Sequence, residues 1–207
     1  MNFISYTVDN SKKLNKMKKS KPSFFRRGNK ASVFLFNEKD NGIVHVILKL
    51  NDEYMIRTRL FEEYTSIPFD HYINVFYNSK NENMFIEESL TAYLDVAVDF
   101  LQTENDVSIE RKQLSNEIFV ELTDQFAGIS NITRLEYYDD EIDEDRTLEF
   151  VSFSEFSQIA KKNIKIDFMN WRFKDFYASA NRNGKIKLDN SNDDFLVKWL
   201  EVFSYAL

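Results

Sequence analysis

The sequence predicts an α+β fold, in which antiparallel strands joined by hairpins are grouped apart from the helices. From Ala31 onward apolar and polar residues alternate, which is the period-two pattern of half-buried strands. The segments Asp40-Asn41-Gly42 and Asn183-Gly184 supply residues that tolerate the positive φ of a tight hairpin turn. Residues 85–101 and 193–207 instead repeat their apolar side chains every three or four positions, as amphipathic helices do.

An antiparallel β-meander is predicted near the amino terminus. Its three strands occupy residues 32–36, 43–50 and 54–61, and the second and third are joined by a turn at Asn51-Asp52. Residues 72–77 are predicted to add a strand before the chain becomes helical. The short separations favour hairpins over the long crossovers that parallel strands require.

A central amphipathic helix is predicted over residues 85–101. Glu87 and Glu88 would then lie in its first turn, where the helix dipole stabilises carboxylates. The apolar residues of its buried face are Ile86, Leu90, Tyr93, Leu94, Ala97, Phe100 and Leu101.

The carboxy-terminal half is predicted to mix strands with helices and to end in a helix. Ser152 and Glu155 match the S-x-x-E capping box, which predicts a helix from there to about Lys162. Aromatic residues at helical spacing predict another helix over residues 168–178, and the last helix begins near Asp193. Strand patterns cover residues 117–122, 131–138, 147–151 and 185–189.

Composition excludes several kinds of functional site. The sequence has no cysteine, so it cannot form a disulfide, a thiolate metal site or a cysteine nucleophile. Its four glycines are far apart, so the glycine-rich loops that bind nucleotide phosphates cannot form. The two histidines, His45 and His71, have no second histidine at the spacing of a metal site. We therefore expect no cofactor, no bound metal and no catalytic residue.

The sequence also predicts a soluble, cytoplasmic protein that has no membrane partner. Residues 1–10 have no apolar stretch of signal-peptide length, and no segment approaches the roughly 20 apolar residues that cross a bilayer. A cysteine-free composition suits a reducing compartment. The abundance of Lys, Asn, Phe, Ile and Tyr is typical of genes from AT-rich bacteria, their phages and their plasmids.

Charge is distributed very unevenly along the chain. Residues 11–30 hold nine of the 27 Lys and Arg residues and no acid, so the rest of the chain combines the other 18 basic residues with all 34 acidic ones. This asymmetry predicts a basic, flexible arm over residues 1–30 and one acidic globular domain over residues 31–207. Two sub-domains, residues 31–135 and 147–207 joined by an acidic segment, are the alternative.

The acidic segment is the leading candidate for a partner-binding site. Residues 139–145 contain six acids in seven positions, and two tyrosines precede them. Dense carboxylates can mimic the phosphates of a nucleic acid, while neighbouring tyrosines anchor an interface. The candidate residues are Tyr137, Tyr138, Asp139, Asp140, Glu141, Asp143, Glu144 and Asp145. The simpler interpretation is a solubilising hairpin loop. A calcium loop of the EF-hand kind is not expected, because the segment lacks the central glycine.

The basic arm is the second candidate, as a nucleic-acid-binding segment. Its cations could neutralise phosphates while Phe24 or Phe25 stacks on a base. The simpler interpretation is a solvated tail that docks on the acidic body of its own or a neighbouring copy, which would make a homo-oligomer. The candidate nucleic-acid-binding residues are Lys12, Lys13, Lys16, Lys18, Lys19, Lys21, Arg26 and Arg27.

A magnesium-dependent nuclease site is the weakest candidate. Glu110-Arg111-Lys112 matches the E-x-K triplet that some nucleases combine with an upstream Asp. Asp95, Asp99 and Asp106 are available, but the first two fall on the predicted central helix. Residues 168–177 also mix aromatic with basic side chains, and at helical spacing they are predicted to belong to the core.

We therefore predict a non-enzymatic intracellular binding protein. Its acidic surface would cover a basic surface on a partner, such as a nucleic-acid-binding protein. By binding that partner, it would act as an inhibitor, immunity or accessory protein encoded by a phage or plasmid. The alternative function is a nucleic-acid-binding accessory factor that uses the basic arm. A nuclease is the weaker alternative.

Overall fold

The structure, a computed structural model, describes residues 1–19, 30–39, 42–57 and 64–207, and it has an α+β fold dominated by antiparallel sheet. The strands are β1 (Asn2–Val8), β2 (Ala31–Glu38), β3 (Ile43–Arg57), β4 (Tyr64–Asn78), β5 (Asn83–Glu87), β6 (Ile109–Arg111), β7 (Asn131–Asp139), β8 (Glu144–Val151), β9 (Ile164–Phe173), β10 (Phe176–Asn181) and β11 (Lys185–Leu188). The α-helices are α1 (Ser11–Leu14), α2 (Thr91–Asn105), α3 (Asn116–Phe126), α4 (Phe153–Ile159) and α5 (Asp193–Ala206), and a 3₁₀ helix, Asn15–Lys19, follows α1.

The chain divides into two compact units, and each is built from separate stretches of sequence. The carboxy-terminal unit comprises Met1–Thr7, Asn83–Phe85 and Glu110–Leu207. The amino-terminal unit comprises Val8–Glu82 and Ile86–Ile109. This division differs from the two sub-domains, residues 31–135 and 147–207, that the sequence offered as the alternative to one domain, because pairing between distant strands, rather than continuity along the chain, defines the units.

In the carboxy-terminal unit the strands form an antiparallel sheet in the order β1-β11-β10-β9-β7-β8. Its core is an aromatic cluster contributed by β9, α3 and α5. The Phe126 ring lies edge-to-face with Trp171 at 5.2 Å and with Trp199 at 4.7 Å between ring centroids. Phe203 lies 6.0 Å from the same ring. All four side chains are buried, so α3 and α5 are held to this sheet chiefly by apolar and aromatic contacts.

In the amino-terminal unit β2, β3 and β4 are sequential antiparallel neighbours. Strands β3 and β4 remain paired from Ile43↔Asn78 to Arg57↔Tyr64. Helix α2 packs on β2 and β3. The outer ends of the β3–β4 hairpin bury little surface, and Tyr54 is 63% exposed.

The first residues of the chain differ from the expected flexible arm. Residues 2–8 form β1, which pairs with β11, and Phe3 and Ile4 are buried. Leu14 and Met17, on the short helices that follow, are also buried. The positive charge of this region predicts a flexible arm, although its few apolar residues are buried in the fold. Residues 20–29 of the predicted arm lie outside the described residues.

One predicted helix and one predicted strand are wrong, and the predicted central helix begins too early. Residues 168–178 lie in β9 and β10, because β7 and β11 supply backbone partners on either side of them, although the spacing of their aromatic residues resembles that of a helix. The first part of the predicted central helix is β5, where Met84, Phe85 and Ile86 are all buried, so Glu87 does not lie in a helical turn. Residues 117–122 are helical in α3.

The predicted turn at Asn51-Asp52 is also wrong, since β3 continues through both residues to Arg57. The hairpin residues Asp40 and Asn41 lie outside the described residues. The Ser152 N-cap of the predicted capping box is confirmed: the Ser152 hydroxyl accepts a hydrogen bond from the Glu155 amide at 3.2 Å. Among the described helices, none has both the length and the apolar character needed to cross a membrane.

Candidate partner-binding surface

The acidic hairpin, residues 137–145, is formed by the end of β7, a turn, and the start of β8. Asp139 and Glu144 are opposite each other at the end of the ladder. The Asp143 amide donates to the Asp139 carbonyl at 2.9 Å, and Asp143 has a φ of 59°. An Asp residue tolerates this left-handed conformation better than most residues, which is one local reason why the sequence turns here.

Two of the predicted contact residues face inward. The Asp139 side chain is buried and accepts a hydrogen bond from the Glu141 amide at 3.1 Å, so it holds the turn in place. Tyr137 is also buried, on the sheet. Tyr138 is half-buried, and its hydroxyl donates to the Asp143 carboxylate. These residues shape the hairpin, and the exposed charge belongs to the residues after them.

Nearby cations offset part of the negative charge. Lys165 of β9 forms an ion pair with Asp140 at 2.9 Å, and its ammonium lies 5.3 Å from the centre of the Tyr138 ring. Arg146 forms an ion pair with Glu144 at 3.2 Å. Glu141, Asp143 and Asp145 are exposed and form no ion pair with another described residue. These three carboxylates are therefore the uncompensated charge of the hairpin.

The predicted nucleic-acid-binding cations are only partly available on the described part of the chain. Lys13 donates to the Asp106 carbonyl at 2.6 Å and forms an ion pair with its carboxylate at 3.0 Å, which lowers the pKa of Asp106. Lys18 forms an ion pair with Glu38 at 3.0 Å. Lys12 and Lys16 are exposed. The side chain of Lys19 and the residues Lys21, Arg26 and Arg27 lie outside the described residues.

Two residues of the predicted nuclease site, Lys112 and Asp106, have structural partners, and the other carboxylates are exposed. The Lys112 ammonium donates to the Asn83 side chain at 3.0 Å and to the Leu207 carbonyl. Glu110 is exposed on β6, Asp95 and Asp99 are exposed on α2, and Asp106 is the partner of Lys13. Within the described ranges, no three His, Asp or Glu side chains are grouped so that they could hold a metal ion.

A polar cluster in the amino-terminal unit was not predicted. The His71 Nε2 lies 3.0 Å from the Ser89 hydroxyl, and the imidazole stacks on the Tyr93 ring at 4.4 Å. The Tyr93 hydroxyl donates to the Asp52 carboxylate at 2.5 Å. No described carboxylate is hydrogen-bonded to the His71 ring, so this pair lacks the orienting acid of a serine hydrolase. The four residues come from β3, β4, α2 and the segment that precedes α2, and they carry no local sequence signal.

His45 has a structural role in the same unit. Its Nε2 lies 2.8 Å from the Asn74 side-chain oxygen, and its ring stacks on Phe76 at 4.3 Å.

Comparison with known proteins found no matching family model and no curated protein of similar sequence. Inferences about function therefore depend on the geometry of the chain itself.

Proposed function

We propose that the protein is a non-enzymatic binding protein whose acidic hairpin covers a basic surface on a partner protein. One observation carries this proposal: residues 141–145 are all exposed, and four of these five residues are acidic. Arg146 offsets only one of them, Glu144. Carboxylates held on a hairpin remain hydrated until a partner supplies cations, so the free protein tolerates them at little cost.

The hairpin also offers an apolar contact at its tip. Ile142 is 46% exposed and lies between the acidic residues of the turn. Exposed charges of this kind accelerate association and select the partner, whereas a central apolar side chain adds binding energy as water is expelled. A basic protein that binds nucleic acid fits this chemistry, because its groove is already complementary to closely spaced negative charges.

A role as an inhibitor, immunity or accessory protein follows from occupying such a groove. The proposal includes a phage or plasmid origin, which the AT-rich composition supports, and a cytoplasmic location, which the cysteine-free composition supports. It assigns no cofactor and no catalytic residue to the protein.

The test is a comparison of three purified proteins as baits in nuclease-treated lysate of the native host, read by quantitative mass spectrometry. The hairpin variant is Glu141→Lys with Asp145→Lys. The control variant is Asp95→Lys with Glu104→Lys, which makes the same change in net charge on the exposed face of α2.

We expect a protein partner that the wild type and the control retain equally and that the hairpin variant captures roughly tenfold less, because each lost charge pair weakens binding and introduces repulsion. Equal capture by the hairpin variant would show that the partner binds elsewhere, and the proposal would then be abandoned.

The alternative, nucleic-acid binding through the basic segment, is supported by the exposure of Lys12 and Lys16 on neighbouring turns. This alternative is tested by repeating the capture from the same lysate without nuclease treatment. If all captured proteins disappear on nuclease treatment, and the double variant Lys12→Glu with Lys16→Glu loses them too, the basic segment is the functional element. The weaker nuclease alternative is tested by incubating the protein with DNA, RNA and Mg²⁺.

A further inference from the structure

Strand β8 forms an edge of the sheet in the carboxy-terminal unit. It pairs with β7 from Ile132↔Val151 to Asp139↔Glu144, and no other described strand pairs with it. An edge strand presents unpaired backbone N–H and C=O groups along its outer side. Of its side chains only Val151 is buried, and the strand is therefore accessible along most of its length.

Phe150, near the end of β8, combines unusual exposure with an unusual backbone conformation. Its side chain is 80% exposed, and its φ is 54°. A bulky aromatic residue rarely adopts this left-handed conformation, which is unfavourable for it. Its neighbours are regular, since Glu149 pairs with Arg134 and Val151 pairs with Ile132. Because the ring buries little surface, packing of this side chain does little to offset the strain. Strained residues of this kind cluster at functional sites.

The exposed charges of β8 favour a basic occupant. Glu144, Asp145 and Glu149 are exposed along the strand, and the single cation, Arg146, forms an ion pair with Glu144. Opposite charges on directly paired residues stabilise neighbouring strands, and like charges destabilise them. A second copy of β8 added antiparallel and centred on Thr147 would place Asp145 opposite Glu149. An extended segment that carries Lys or Arg would instead be complementary.

We infer that the free edge of β8 is a strand-addition site, at which an extended segment of the partner rich in Lys or Arg pairs with the backbone and Phe150 anchors it. This inference rests on the proposed function and specifies how the partner binds beside the acidic hairpin. Strand addition draws its affinity from backbone hydrogen bonds and its specificity from alternate side chains. The exposed carboxylates supply that specificity, and Phe150 supplies the apolar contact.

The first test uses a defined peptide. An eight-residue peptide of alternating Lys and Thr with one central Leu is titrated into the isotope-labelled full-length protein and followed by NMR. The control peptide has the same sequence with N-methylated amides along one edge, so it keeps the charge and loses the backbone donors. We expect the unmodified peptide to shift the amide signals of residues 145–150 and slow their hydrogen exchange, and the control to do neither. Equal effects of the two peptides would overturn strand addition.

The second test uses Phe150→Gly, which removes the ring at a position where glycine fits the observed φ better than phenylalanine does. The fold should be retained, and peptide affinity should fall by roughly fivefold or more if Phe150 is an anchor. The matched control is Tyr205→Ala, which removes an exposed aromatic ring from α5. Equal peptide affinity in wild type and Phe150→Gly would overturn the assignment of the anchor.

The two proposals fail in different ways. One outcome is that the partner found in lysate fails to bind the Glu141→Lys, Asp145→Lys variant and still binds Phe150→Gly as it binds the wild type. In that case the acidic hairpin is the binding site and the free edge of β8 is not. If both variants retain the partner, the proposed function fails as well. A wild-type dimer in sedimentation that Phe150→Gly dissociates would make a second copy the occupant of β8 and would overturn the inference.

Discussion

Tyr93, in the first turn of α2, donates a hydrogen bond to the Asp52 carboxylate of β3 at 2.5 Å. This bond lowers the pKa of Asp52, and the Glu53 amide, at 2.7 Å from the same carboxylate, lowers it further. The bond also raises the pKa of Tyr93. Helix α2 is thereby joined to β3 at a position where the sequence predicted a turn.

The Tyr93–Asp52 bond predicts a dependence of stability on pH. A carboxyl whose folded pKa lies below its unfolded value of 3.8 contributes stability above that value and loses it as the pH falls through the folded pKa. Tyr93→Phe should therefore lower the melting temperature at pH 7 and should lower it less near pH 3. Tyr54→Phe, which changes an exposed tyrosine, is the control and should change neither value. An equal decrease at both pH values would contradict the assignment.

Gly184 and Gly128 offer a matched pair of substitutions. Both have a positive φ, 76° and 78°. A Cβ at Gly184 would overlap the Lys112 carbonyl oxygen and lie 2.7 Å from the Ser5 hydroxyl, whereas a Cβ at Gly128 would meet nothing within 4 Å. Gly184→Ala should therefore lower the free energy of unfolding by about 2–4 kcal/mol, and Gly128→Ala by only about 1 kcal/mol. Urea denaturation measures the difference, and equal losses would mean that the close approach is absent.

Phe126 is predicted to be the most sensitive aromatic residue of the carboxy-terminal unit. Its buried ring contacts Trp171, Trp199 and Phe203. Phe126→Ala should lower the free energy of unfolding by about 3–5 kcal/mol because it leaves a cavity in a packed core. Near-ultraviolet circular dichroism should weaken at the same time, since the two tryptophans lose their fixed neighbour. A loss below 1 kcal/mol would show that the cluster is loosely packed.

Leu14 tests whether the described part of the basic segment is packed. The side chain is fully buried, although it is surrounded in sequence by lysines. Leu14→Ala should lower the free energy of unfolding by about 2–5 kcal/mol, while Lys12→Ala, at an exposed position, should change it by less than about 0.5 kcal/mol. If both variants were as stable as the wild type, residues 11–19 would behave as the solvated tail that their charge predicted.

Features that depend on neighbours in sequence were predicted well. The Ser152 cap of α4 is formed by residues three positions apart, and α5 begins at Asp193, where the apolar pattern and the two acids of its first turn begin. The Asn183-Gly184 turn needs only a glycine with positive φ. In each case the stabilising hydrogen bond or backbone conformation lies within a few residues, so the local sequence contains the necessary information.

Features that depend on distant partners were predicted poorly. Residues 168–178 form β9 and β10 because β7 and β11 supply backbone partners on either side, and no local pattern records that pairing. The hairpin between β9 and β10 contains Lys174 with a φ of 50°, so it carries no glycine signal. The network of His71, Ser89, Tyr93 and Asp52 escaped prediction for the same reason.

The sequence by itself determined the α+β class, the exclusion of cysteine chemistry, the cap of α4 and the location of the acidic turn, because composition and short-range bonding are sufficient for these. Only the tertiary structure decided the roles of individual charges: Asp139 faces inward to hold the turn, Glu141 faces solvent, and Lys13 is neutralised by Asp106. It also exposed Phe150 on a free edge. Burial and ion pairing depend on residues that are far apart along the chain, so they are established only when the strands pair.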